Sequence, residues 1–463
     1  MLDAPMTQAL SRYLDLQTAR IKVTATNMAN QNTPGYARRT VTWTGGDTVS
    51  LTGIGAGQNP MATVTAQRSS VLDAAVASTT ASSASANTVK SALNSLQAVF
   101  AINSAGDEGS GINAAMSGFF AAMQSIAADP SSGSARQAAF AAAQTVASSF
   151  QATSATLSQQ ASDLDGSVQN SVSSINQLTA SIAALNGSIG CAGTAADREA
   201  LLDQRSAQID SLSQLVGVQQ MSNSDGSVSL FTSNGGALVV GSQSDAVSTR
   251  SAGNGALQIY VQGTNITTGL EGGSVGGALA ARDGALADAQ TRIDALASAF
   301  ATAVNAANSN GNTQAGNAGA AIFSLDPTAA HPAATIAVAA TSGADFAAAG
   351  NGEGANGTGN ANAMAALANQ ENSSGETFAG VLSSAISSIG TSAAAAQTNA
   401  AAASSAQNQA SANQEALSGV SLDTEAANLT QYQRSYEAEA KLLAVLDQIM
   451  TDTINLGTNT AVS

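Results

Sequence analysis

The sequence predicts a mainly α-helical chain with a small inserted β domain. It predicts a central elongated helical bundle and long terminal helices that form a coiled-coil-like domain. Three observations carry this reading. Of 463 residues, 44 % are hydrophobic but only 3 % aromatic, so alanine supplies much of the apolar content. Alanine favours helix and buries little area per residue, which predicts long helices and thin cores rather than one thick core. Large apolar residues recur every seven positions in two long stretches. Once, between them, the pattern switches to short β-favouring runs separated by turn residues.

Residues 6–30 read as a helix, with Leu10, Leu14, Ile21 and Met28 on one stripe and Gln17 and Thr24 as its polar interruptions. The stop lies at Asn27-Met28-Ala29-Asn30-Gln31-Asn32-Thr33-Pro34-Gly35-Tyr36. Asn side chains compete for backbone hydrogen bonds and tolerate a left-handed helix end. Pro34 pushes Thr33 out of helical space. Pro34-Gly35 suits a tight turn with glycine at the positive-φ position. Residues 37–43 read as extended and 45–60 as a Gly-rich loop.

Helix returns over 69–101, anchored by Leu93, Leu96 and Phe100, followed by a loop at 103–111 and a helix over 112–128 that breaks at Asp129-Pro130. The longest periodic segment covers 134–189. Val168, Ile175, Ile182 and Ile189 lie seven apart, with Phe150, Leu157, Leu164, Leu178 and Leu185 on the alternate seam and Ser171 as its gap. Two readings stand for it: a helix packed lengthwise against partners, or one in an ordinary bundle. After a loop at 190–196, a helix carries Leu201, Leu202, Ile209, Leu212 and Leu215.

From 216 to 269 strands are expected at 228–232, 238–240 and 257–261, with turns at Ser224-Asp225-Gly226, Asn234-Gly235-Gly236 and Asn254-Gly255. They read as one small antiparallel unit. Helix resumes over 279–305 with Leu286, Ile293, Leu296 and Phe300 on one face. Residues 309–360 are rich in Gly, Asn and Ala, with short strands expected near 322–323 and 336–338. Gly352-Glu353-Gly354-Ala355-Asn356-Gly357 fits a nucleotide fingerprint literally, but no βαβ unit surrounds it, so it reads as a flexible loop. Helix is expected at 378–389. Residues 391–416 hold no large apolar side chain, and either helix or disorder until a partner binds is consistent with that.

In the last segment Leu422, Leu429, Tyr436, Leu443 and Met450 fall seven apart without a gap. Tyr432 and Leu446 sit on the flanking seam, Ala426, Ala440 and Ile454 line the edge, and Glu425, Glu437 and Glu439 are placed on other faces. The helix either docks on its own domain or meets other subunits. The division expected is 1–60 and 420–463 as the two halves of a terminal helical domain, 61–215 and 271–419 as two parts of a helical domain, and 216–270 as the β insert.

Fifteen basic against 31 acidic residues give a net charge of −16, which repels phosphate backbones and anionic surfaces, so no nucleic-acid partner is expected. No apolar run approaches the roughly 18 residues of a membrane helix, so no membrane insertion is expected. Met1-Leu2-Asp3-Ala4-Pro5-Met6 lacks the basic and apolar regions of a cleavable signal. The chain is thus expected to stay in the cytosol or to leave uncut. The one cysteine, Cys191, makes no internal disulfide, and the one histidine, His331, excludes a histidine-cluster metal site. No nucleophile elbow or motif-bound carboxylate pair is present, so no enzyme activity, catalytic residue, cofactor or metal is expected.

Asn27-Met28-Ala29-Asn30 with Thr33-Pro34-Gly35-Tyr36 resembles the N-terminal signature of bacterial flagellar rod, hook and hook-associated proteins. Three further stretches are similar to the hook-associated protein 1 branch of that family. They are the run from Ser418 to Leu429 with its continuation Tyr432-Gln433-Arg434-Ser435-Tyr436, Leu201-Leu202-Asp203-Gln204-Arg205, and Asp129-Pro130 with Ala135-Arg136-Gln137-Ala138. Asn360-Ala361-Asn362-Ala363-Met364-Ala365 is a weaker match. The start departs from the family, with Leu10-Ser11-Arg12-Tyr13-Leu14 where Ser-Gly-Leu is usual. The resemblance implies a structural subunit of the extracellular flagellum, joining hook to filament. It implies uncut export through the flagellar type III apparatus, with a cytosolic chaperone holding the C-terminal region. The implied partners are copies of itself, the hook subunit and a second junction protein. Another axial subunit, of hook or distal rod, and a secreted surface adhesin are the alternatives. Subunit interaction is assigned to Leu10, Leu14, Ile21, Asn27, Met28, Asn30, Thr33, Pro34, Gly35 and Tyr36, and to Leu422, Leu429, Tyr432, Tyr436, Leu443, Leu446 and Met450. Short isolated helices are marginal in water, so these ends are expected to stay mobile until neighbours cover their seams.

Overall fold

The computed structural model describes residues 3–44, 61–104, 111–253 and 255–459. The predicted loop at 45–60, most of the loop at 103–111, Asn254 of the Asn254-Gly255 turn and the side chain of Ile454 lie outside the described residues. In chain order the elements are α1 (Asp3–Ala29), β1 (Arg39–Thr44), β2 (Met61–Ala66), α2 (Ser70–Ser104), α3 (Gly111–Ala128), α4 (Gly133–Gly190) and α5 (Ala195–Leu215). Strands β3 (Val218–Ser222), β4 (Val228–Thr232), β5 (Ala237–Val240), β6 (Gln243–Ser244), β7 (Val247–Ser251), β8 (Leu257–Val261) and β9 (Thr264–Asn265) follow. Then come α6 (Gly273–Ala281), a π-helical turn (Arg282–Leu286), α7 (Ala287–Ser309), β10 (Phe323–Ser324), α8 (Pro332–Thr335), β11 (Ala337–Val338), α9 (Gly359–Ala366), α10 (Phe378–Ser418) and α11 (Leu422–Asn459).

The helices follow the periodicity closely. The strand-rich stretch does not form one sheet. It forms an antiparallel four-stranded sheet in the order β3-β4-β5-β6 and a separate three-stranded sheet, β7-β8-β9. Segment 391–416 is helical, the second half of α10. Polar side chains hold it against α2: Ser83 and Ser404 hydroxyls lie 3.4 Å apart, Gln407 donates to Thr80 (3.2 Å) and Gln414 to Asp73 (2.6 Å). One run, Phe378–Thr453, does hold an 18-residue window of mean hydropathy 1.3, long and apolar enough to cross a membrane by composition. This departs from the expectation, because alanines raise the average without forming a continuous run of large side chains. Leu382, Ala385, Ile389 and Ala393 of this helix are buried.

The chain divides into two compact units. Unit 1 holds residues 1–80, 175–246 and 405–463. Its four-stranded sheet is tied to α4 and α5 by Asn186, whose Nδ2 donates to Val228 O (2.8 Å) and Gly241 O (2.6 Å). Arg205 donates to Asn186 Oδ1 (2.8 Å) and to Gly226 O (2.9 Å). Burial lowers the Arg205 pKa to about 10. β1 and β2 form a ribbon, Arg39 opposite Ala66 and Thr44 opposite Met61; β2 had no counterpart in the sequence reading.

Unit 2 holds residues 81–174 and 247–404. Its core departs from the thin-core expectation. Nine of the ten phenylalanines belong to it, because a low average aromatic content says nothing about how the aromatics are distributed. Phe300 lies 5.5 to 6.3 Å from the rings of Phe119, Phe120, Phe150, Phe323 and Phe378. The Gly/Asn-rich region is ordered by amides. Asn308 Nδ2 donates to Ala320 O (2.7 Å) and its Oδ1 accepts from Ala347 N (2.8 Å), while Asn360 donates to Ala347 O (2.7 Å). The fingerprint-like loop is likewise hydrogen-bonded rather than loose. Glu353 accepts from Gly350 N (2.8 Å) and Gly359 N (2.9 Å). In α4, Val168, Ile175, Ile182 and Ile189 are all buried within the chain, as a bundle helix requires.

Candidate subunit-assembly site

The end of α1 and the chain that follows it build a polar knot in unit 1. Asn27 is its centre and is 1 % exposed. Its Oδ1 accepts from the Tyr36 hydroxyl (2.7 Å) and from Arg39 N (3.0 Å), and its Nδ2 donates to Arg39 O (2.9 Å). The turn between them forms as its sequence predicts. Tyr36 N donates to Thr33 O (3.1 Å), and Gly35 has φ +76°. A Cβ at Gly35 would lie 2.6 Å from Asp203 O, so close approach and backbone conformation both demand glycine there.

Two carboxylates lock this turn to the rest of unit 1. Asp203 of α5 pairs with Arg39 Nη2 (2.8 Å) and with Arg68, and accepts from Ala37 N (3.3 Å). Arg68 also donates to Gly35 O (3.1 Å). Burial pushes the Asp203 carboxyl up, and Arg39 and Arg68 oppose the shift. Glu425 of α11 is buried and receives Arg38 Nε (2.7 Å) and Asn27 Nδ2 (3.3 Å). Burial raises the Tyr36 phenol to about 12, against the lowering effect of Arg39, so it stays a proton donor to Asn27.

From this knot α1 and α11 run antiparallel. Three contacts define the pairing: Asn27 with Glu425, the Arg20 guanidinium 5.4 Å over the Tyr432 ring, and Gln17 Nε2 donating to Glu439 Oε1 (3.2 Å). Glu425, Tyr432 and Glu439 lie seven apart, and Leu446 continues their line half-buried. On α1, Leu10, Gln17, Thr24 and Asn27 are buried. One flank of α11 beside this line is uncovered: Leu442, Val445 and Ile449 are each more than half exposed.

Two family models match the chain. The flagellar hook-associated protein FlgK helical domain matches residues 93–323, and the flagellar basal body rod FlgEFG protein C-terminal domain matches 413–456. Together they span more than half of the sequence. The chain belongs to the flagellar hook-associated protein FlgK family. The fold agrees with that of the flagellar hook junction protein FlgK from Burkholderia pseudomallei, at TM-score 0.68 and 20 % identity, over 74 % of this chain and 100 % of that one. No curated protein sequence matches significantly.

In this FlgK-family chain the residues assigned to subunit interaction separate into two groups. Asn27, Gly35 and Tyr36 turn into the knot, and Asn30 bonds back to Thr26 O (2.9 Å). Leu10 is buried, and Leu14, Ile21, Met28, Leu429, Tyr432, Leu443, Leu446 and Met450 are half-buried around the helix pair. Thr33, Pro34, Leu422 and Tyr436 are exposed. A lone chain thus pairs its own two ends. The gap-free heptad from Leu422 flanks that pairing, and the line facing α1 is Glu425–Tyr432–Glu439. Glu425 and Glu439 therefore sit on the pairing face rather than on the other faces expected of them. An apolar-stripe criterion misses them because their partners, Arg38, Asn27 and Gln17, are polar. Arg38, Arg39, Arg68 and Asp203 were missed for the same reason. A signal was available, since only 10 % of residues are charged and a charge inside a structural motif is therefore informative.

Unit 1 also contains an acid-sensitive carboxyl. Burial, then repulsion from Asp73, raises Asp210 of α5 to about 6, with Arg68 opposing. Its folded pKa exceeds its unfolded value, so protonation favours the folded form. That contribution is fully present below about pH 4 and is lost as pH rises through 6. Asp210→Asn is expected to stabilise unit 1 at neutral pH by roughly 1–2 kcal/mol and to leave it unchanged near pH 4. Melting curves of both proteins across pH 4–8 check this; parallel curves would rule it out.

Proposed function

We propose that this FlgK-family chain is a structural subunit joining flagellar hook to filament and that it assembles through α1 and α11. Residues 1–60 and 420–463 are assigned to assembly, and 61–215 with 271–419 to the body of the subunit. Its partners are copies of itself, the hook subunit and a second junction protein. It leaves the cell uncut through the flagellar export route, with a cytosolic chaperone on its C-terminal region.

The observation that supports this best is the uncovered stripe Leu442, Val445 and Ile449 on the helix that carries the C-terminal family match. Pairing within the chain leaves this stripe in water. Covering each side chain contributes on the order of 1.5–3 kcal/mol. A head-to-tail contact repeated without closure builds a tube. Cells lacking the gene are expected to keep hooks and shed filament subunits into the medium. Complementation with the wild-type gene restores filaments, whereas Leu442→Asp/Val445→Asp/Ile449→Asp is expected to restore none while α1 and α11 remain paired. Filaments of normal length on the triple variant would refute the assignment. Uniform immunogold labelling of hooks, instead of a band at the hook–filament boundary, would favour the other axial-subunit reading.

A further inference from the structure

Pairing of α1 with α11 is not built for affinity. Four of the residues buried or half-buried on its seam are polar: Gln17, Thr24, Asn27 and Glu439. A fifth, Glu425, is charged and 2 % exposed. Gln17 Oε1 and Glu439 Oε2 are buried without a hydrogen-bond partner, although Gln17 Nε2 reaches Glu439 Oε1. Unsatisfied buried acceptors destabilise, and an apolar pair in their place would hold the helices more tightly. Polar residues at core positions are known instead to specify register at the expense of stability.

We propose that the two amide–carboxylate contacts, Gln17 with Glu439 and Asn27 with Glu425, select the register in which the two ends of the chain pair. The seven-residue spacing of Glu425, Tyr432, Glu439 and Leu446 makes heptad slips the natural competitors, each moving α11 by about 10 Å. A slip in one direction brings Leu446 to Gln17. A slip in the other brings Tyr432 to Gln17 and carries Glu439 towards Leu10. Either slip takes both carboxylates away from their amides, and the second also buries Glu439 against Leu10, which is heavily penalised. Only the observed register gives both acids an amide. Register selection matters for the proposed function because it decides where along α11 the stripe Leu442, Val445 and Ile449 is presented. The selection itself is a property of the lone chain, so it stands or falls separately from the junction reading.

The test uses the full chain with Cys191→Ser and spin labels at Lys22→Cys and Gln448→Cys, both at exposed positions and far enough apart along the helix pair for a slip along its axis to change their distance. Pulsed electron resonance is expected to show one distance. In Gln17→Leu/Glu425→Leu/Glu439→Leu, which removes both contacts, the single distance is expected to split into peaks about 10 Å apart. The exchanged variant Gln17→Glu/Glu439→Gln is expected to keep the wild-type peak. One unchanged peak in the leucine variant would overturn the proposal. So would a split in the exchanged variant. Complete separation of the helices in the leucine variant would also overturn it, since the polar contact would then supply affinity rather than register.

Discussion

Arg38→Ala is expected to release α11 from unit 1. Glu425 is 2 % exposed, and among the described residues Arg38 is its one cationic partner within salt-bridge distance. Without Arg38 the carboxylate is left with the 3.3 Å contact to Asn27 alone. Removing one member of a buried ion pair costs about 3–5 kcal/mol, because the other charge stays behind uncompensated. Truncation from the other side is milder. Arg38 retains a quarter of its side-chain exposure, so in Glu425→Gln water solvates the guanidinium and the amide still accepts from it. The order Arg38→Ala ≫ Glu425→Gln is the expected result, with Arg38→Ala/Glu425→Gln intermediate. Hydrogen exchange over 422–450 reads it directly. Equal exchange in both single variants would show that the charge is solvated without Arg38.

Phe300→Ala is expected to have an effect of similar size in unit 2. Its ring is fully buried and packs against five others. Deleting it removes the transfer free energy of the ring and leaves a cavity among rigid aromatics that cannot close over it, for a loss of about 3–5 kcal/mol. Phe300→Leu retains most of the volume and is expected to lose less than half as much. Denaturant melts of the two variants, with protection of amides over 111–128 and 287–309, measure the difference. A cost below about 1 kcal/mol for alanine would mean that the aromatic cluster repacks freely.

Helices were legible because their apolar spacing is local information. The π-helical turn within the predicted 279–305 helix was not. There Arg282 reaches Asp165, Asp283 and Leu257 O together, a demand set by residues far away in the chain. Strand β2 went unseen because Met-Ala-Thr-Val-Thr-Ala acquires its meaning only beside β1. The aromatic core escaped notice because Phe119, Phe300, Phe323 and Phe346 come from four separated segments. The assembly site was half legible. Tyr36 and Gly35 stood out through their turn chemistry, whereas Glu425, Glu439 and Asp203 are meaningful only through partners that sequence spacing cannot reveal.

Asn27 and Glu425 stand 398 positions apart along the polypeptide. Closing so large a loop in an unstructured chain carries an entropic penalty that grows with the logarithm of its length, and distant pairings slow folding. Tyr36 and Arg39, by contrast, reach Asn27 within a dozen residues. The seat is therefore prepared locally and early, and its occupant arrives late. The clasp between the extremities is therefore expected to be the last contact to form and the first to open.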